Sequence, residues 1–141
     1  MRYLATSLAF VLALASASVA QSQNEDWVDL GWFGDNLFRA AYDAAGARTE
    51  RDDLGGVMVY VKITSASQAF VDQTGADPKA AYYSENFGVD CAKRVIRSYH
   101  LLSHDAQGGW VQLKSVDFGG ATNTPTANTL AAILLQKVCG S

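Results

Sequence analysis

Two cysteines, Cys91 and Cys139, place the strongest constraint on what this chain can fold into. What they do depends on the compartment, and the N-terminus speaks to that. It reads MRYLATSLAFVLALASASVAQSQNEDW. Arg2 supplies a positive start, Leu4 to Leu14 form an apolar run broken only by Thr6 and Ser7, and Ser18-Val19-Ala20 puts small residues where a signal peptidase inspects them. This is the pattern of a cleaved secretory signal, with cleavage expected after Ala20 and Ala17 as second choice. A membrane-spanning helix needs about 20 apolar residues, and the polar stretch Gln21 to Asp26 ends this run too early. No cysteine stands near either cleavage position, so no lipid anchor is expected. The mature chain is expected to be periplasmic or secreted, not a lipoprotein.

In an oxidising compartment, an even cysteine count without metal-ligand spacing reads as a disulfide. A redox pair would sit as Cys-x-x-Cys near a helix start, and a nucleophilic cysteine would need a histidine base. Neither context is visible. Cys91 is therefore read as tied to Cys139, closing 48 residues.

Removing residues 1–20 leaves 121, read as a single domain over 21–141. Such a chain buries roughly two-thirds of its unfolded surface, enough for one modest core. Loss of Arg2 takes the side-chain charge from −3 to −4. That mild acidity argues against a nucleic-acid partner, which would want a strongly basic face.

The chain then reads as strands followed by one helix, an α+β class. In VMVYVKIT, residues 57–64, Val57, Val59, Val61 and Ile63 share one side, with Met58, Tyr60, Lys62 and Thr64 on the other. Residues 37–43 and 80–87 suggest further strands, and 32–36 a turn. GWVQLKSVDF, residues 109–118, alternates after the turn signal DAQGG. The charged ARTERDDL before residue 55 reads as a solvated loop. Residues 92–102 fit helical spacing, but their Val, Ile and Tyr content and the turn that follows favour a strand. At the C-terminus Thr124 and Pro125 look like a helix start. The helix is expected to run to Val138, with Ala127, Leu130, Ala131, Ile133, Leu134 and Val138 on its apolar face. A bond from Cys139 to Cys91 would pin that helix to the sheet.

Chemical motifs are sparse. His100 and His104 would lie about 13 Å apart along a strand, too far to share a metal. Only on a helix would they form half a zinc site, without the glutamate of H-E-x-x-H. Glu50, Asp52 and Asp53, interleaved with Arg48 and Arg51, read as a solvated turn. No nucleophile elbow, phosphate loop or dinucleotide fingerprint occurs, so no catalytic residues, metal or cofactor are expected. Lys93, Arg94, Arg97 and Tyr99 form the one positive cluster, a candidate binding patch whose plainer reading is a charged edge strand.

FGVDCAKRVIRSYHLLSHDAQGGWV, followed by a polar loop and ANTLAAILLQKVC, resembles the surface-adhesin protein E family of small exported bacterial proteins. Trp27, Tyr42-Asp43 and VMVYVK fit the same order of features, over roughly residues 25 to 140. The resemblance implies an antiparallel sheet with a C-terminal helix packed on it, a Cys91–Cys139 disulfide, and binding of host extracellular or cell-envelope proteins. The expectation is an exported, non-enzymatic protein-binding domain. The alternatives are an inhibitor of a secreted hydrolase, presenting GGATNTPTANT or DQTGADPK as a loop, and a small metal-binding protein using the two histidines.

Overall fold

The alternation in VMVYVKIT makes it an inner strand of one sheet. The structure, a computed structural model, describes residues 26–113 and 125–140. Along the chain the elements are β1 (Trp27–Phe33), β2 (Phe38–Asp43), α1 (Ala44–Thr49), β3 (Val57–Thr64), α2 (Gln68–Thr74), β4 (Tyr82–Asp90), β5 (Val95–His104), β6 (Trp110–Gln112) and α3 (Leu130–Cys139). The six strands lie side by side in that order. Each runs antiparallel to the next. Hairpin turns enforce this between β1 and β2 and between β4 and β5, since a short reversal returns the chain alongside itself. Asp35, Asn36 and Arg94 adopt the left-handed backbone that such reversals require.

One face of the sheet is apolar. Ala40 and Tyr42 of β2, Val59, Val61 and Ile63 of β3, and Tyr83, Phe87 and Val89 of β4 are buried there with Ile96 and Leu101 of β5. Phe70 of α2 drops between Phe38 and Tyr83, with ring centroids 6.0 and 4.9 Å away. Leu130, Ala131, Leu134 and Leu135 of α3 complete the cover. Full burial of each large side chain stabilises by about 2 to 3 kcal/mol before entropy is counted. The disulfide joins Cys91 to Cys139, with Cα atoms 5.3 Å apart, and ties the end of α3 to the turn after β4. The α+β class, the antiparallel sheet, the packed C-terminal helix and the disulfide therefore stand as expected.

Several boundaries differ, each for a local reason. α3 begins at Leu130, not at Pro125. Asn128 takes a φ of 61°, which breaks any earlier turn of helix, and Thr129 is the cap, its hydroxyl accepting from Ala132 N–H. Thr124 lies outside the described residues. Leu135 replaces Ala127 on the buried face, because Ala127 precedes the helix and is exposed. The supposed loop at ARTERDDL contains the end of α1, whose cap is Asp43, accepting from Ala45 N–H at 3.0 Å. α2 and β1 were not anticipated; β1 carries a register irregularity between Asp29 and Gly31 that spoils its alternation. The 92–102 segment is a strand, but it starts at Val95, and Cys91 sits in the turn ahead of it. The 80–87 strand starts at Tyr82 and continues to Asp90. Of 109–118, Trp110–Gln112 is strand, and Lys114 to Phe118 fall outside the described residues, as does the expected signal at 1–20.

Candidate functional site

The helices all send side chains into the core face, through Ala44, Phe70 and Leu134 among others. The opposite face of the sheet carries no helix among the described residues. One register row crosses it from edge to edge, Asp29–Ala41–Lys62–Ser84–Leu102–Gln112. Six strands at the usual spacing make a platform about 24 Å wide.

A diagonal band of aromatic rings runs over this platform. Trp27 of β1 meets Tyr60 of β3 at a centroid distance of 5.8 Å. Lys62 Nζ stands over the Trp27 ring at 5.8 Å and over the Tyr82 ring at 4.8 Å, bridging the two as a cation between π faces. Tyr82 in turn stacks on His104 at 4.4 Å, with ring planes only 8° apart. Next to His104 in register is Trp110, which is 64% exposed. Trp32, paired with Arg39, is 55% exposed at the other edge. The two open indoles thus stand at opposite edge strands, with the partly exposed ring band between them.

His104 is held from beneath. Its Nε2 lies 2.7 Å from Ser84 Oγ. A Ser–His hydrogen bond is the geometry of an activated nucleophile, so the pair has to be weighed as one. Ser84 is only 1% exposed, which leaves its hydroxyl no open side for a substrate. Asp105, the adjacent carboxylate, spends Oδ1 on the Gln107 and Gly109 N–H groups at 2.9 and 2.7 Å. The pair thus acts as an anchor that fixes the imidazole under Tyr82. Burial lowers the His104 pKa, with Asp105 opposing, which favours the neutral ring.

The expectation of a solvated turn along 47–54 needs one correction: Asp52 is not solvated. Its side chain is fully buried on the open-face side of the sheet, accepting from Arg97 Nη2 at 2.7 Å and from the Leu54 and Gly56 N–H groups at 3.0 and 2.5 Å. Tyr99 OH donates to Asp52 at 3.3 Å and to Asp53 at 3.0 Å. Burial pushes the Asp52 pKa up, but Arg97 and the two backbone donors outweigh it and hold the carboxyl below its usual range. Gly88 makes room for this cluster. A methyl group there would collide with Asp52 Oδ2 and meet the Tyr99 ring at 2.9 Å. Gly88→Ala is expected to cost about 2 kcal/mol in urea unfolding, as overpacking does.

The four residues of the expected patch fall into two places. Arg97 and Tyr99 belong to the Asp52 cluster. Lys93 lies in the β4–β5 turn, 3.5 Å from Asp90, and Arg94 reaches the Gly140 carbonyl at 3.5 Å. His100 is exposed and its Nδ1 is 3.4 Å from Gln112 Nε2, while His104 turns to Tyr82. Among the described residues no three His, Cys, Asp or Glu side chains gather as a metal cage. DQTGADPK is the end of α2 with its Gly75 cap, and it buries Ala76. Most of GGATNTPTANT lies outside the described residues. No described helix is long and apolar enough to cross a membrane.

No protein-family model, no curated protein and no solved structure matches the chain. Function is therefore read from the site itself.

Proposed function

We propose that this is an exported, non-catalytic binding domain that takes a protein partner on the open face of its sheet. The observation that carries the reading is the partly exposed band Trp27–Lys62–Tyr82–His104, on the face that no described helix covers, flanked by the exposed Trp32 and Trp110. Tryptophan, tyrosine and arginine dominate binding energy at protein interfaces, and a broad platform suits a partner larger than a small molecule. The rings are already ordered by contact with one another, so little entropy remains to be lost on binding. The disulfide supports export, since such bonds persist in oxidising compartments. The resemblance to the surface-adhesin protein E family points to the same class of activity.

The test is photo-crosslinking in the envelope fraction and medium of the producing cell. A benzophenone side chain at Gln112, exposed on the open face, is compared with one at Gln136, exposed on α3. The expected result is a discrete protein adduct from position 112 that disappears in the Trp110→Ala background. Equal adducts from both positions, or none from 112, would overturn the reading.

A further inference from the structure

The open face is not uniform: a cleft of about 250 Å³ opens between β1, β2 and β3. Its walls are Trp27 and Lys62, and its floor includes Ala41, which stands in register between Asp29 and Lys62. A small residue between two long ones leaves a gap the size of a side chain. Arg39 and Thr64, cross-strand partners, line the remaining side.

The charges in this cleft are unevenly committed. Arg39 is satisfied by Asp29 through two bonds, Nε to Oδ1 at 3.0 Å and Nη2 to Oδ2 at 2.7 Å. Lys62 has no carboxylate within ion-pair distance among the described residues, and its ammonium is held only by the Trp27 and Tyr82 rings. Two cations against one anion leave the cleft with a net charge of +1, on a chain whose total is −3. Contact with the rings restricts the lysine without using up its N–H donors. A carboxylate entering the cleft would therefore meet a cation whose ordering entropy is already spent. Trp27 offers a flat wall for the methylene stem, and Thr64 a hydroxyl donor.

We propose that this cleft is the anchor pocket of the binding face and takes a single acidic side chain, an aspartate or glutamate, of the protein partner. The proposal rests on the open-face reading and specifies its chemistry. One carboxylate matches a local charge of +1, whereas a polyanionic surface would be repelled by the acidic protein as a whole.

NMR titration of the protein with Ac-Ala-Glu-Ala-NH2 tests this, beside Ac-Ala-Gln-Ala-NH2, glucuronate and inorganic phosphate. The Glu peptide is expected to shift the Trp27 indole N–H and the Thr64 amide, and to bind about tenfold more tightly than the Gln peptide. Lys62→Met should abolish those shifts while the rest of the spectrum stays dispersed, and should weaken the photo-adduct at Gln112. Equal shifts from the Glu and Gln peptides would overturn the proposal, as would preference for glucuronate or phosphate. If the Gln112 adduct forms normally with Lys62→Met, the anchor pocket falls and the binding face stands. If no adduct forms even with Lys62 intact, it is the face that fails.

Discussion

The variant Cys91→Ser/Cys139→Ser is expected to lose about 4 kcal/mol of unfolding free energy, most of what a domain of this size has to spare. The bond closes 48 residues, and the loop entropy it removes from the unfolded chain grows with the logarithm of that number. Topology adds a second reason. α3 is the last element and reaches the core only after the polar segment that follows β6, yet Leu130, Ala131, Leu134 and Leu135 cover the sheet. With the staple gone, the helix must find its place by packing alone. Replacing both residues avoids a free thiol that would confuse the comparison. Urea unfolding gives the magnitude, and hydrogen exchange of the α3 amides shows whether that helix opens before the sheet. A loss below about 1 kcal/mol would mean that packing holds α3 unaided and the loop-entropy account is wrong.

How much of this was legible in the sequence depended on whether the decisive interaction was local. β3 announced itself because Val59, Val61 and Ile63 alternate with polar neighbours, and the structure keeps that alternation. α1 and α2 are too short to show helical periodicity, with 6 and 7 residues, and exist because Ala44 and Phe70 are drawn into the core. Asp52 stands in a charged run that reads as solvated. Its burial depends on Gly88 and Arg97, which only strand pairing brings beside it. The aromatic band was less legible still. Alternation places Tyr60 and Lys62 outward, but Trp27, Lys62, Tyr82 and His104 become neighbours through register across five strands. A β-bulge adds to the difficulty: two β5 residues, Tyr99 and His100, oppose the single Asn86 of β4, so the outward positions change parity midway.

The same bulge sets up the second large effect, a fall in stability with rising pH caused by Glu85. This residue lies in the core-face row Val28–Tyr42–Val61–Glu85–Leu101, fully buried among apolar side chains. Its Oε1 accepts from Ser98 Oγ at 2.7 Å, while Oε2 is buried without a hydrogen bond. Burial dominates, and although Ser98 and the bulge N–H groups of Tyr99 and His100 favour the charged form, the pKa is pushed up to about 7 from an ordinary 4.5. Between those values the native state keeps a proton that the unfolded chain has released, so raising the pH favours unfolding. Each unit costs about 1.4 kcal/mol, and the loss totals about 3 kcal/mol once pH 7 is passed. Below pH 4.5 both states are protonated and the contribution vanishes. His104 works the other way, because its lowered pKa makes the unfolded state the one that gains a proton as pH falls through the histidine range. The raw profile therefore mixes both groups, and the difference between wild type and Glu85→Gln isolates the glutamate. That difference should favour wild type or vanish at pH 4.5 and favour the variant at pH 8, read by urea unfolding at each pH. Parallel profiles would mean that the carboxyl finds a partner for Oε2 in solution. Glu85 sits on β4 between Ser84, which holds His104, and Asn86, which opposes the bulge, so the carboxyl lies on the core side of the strand pair that carries the Tyr82–His104 stack.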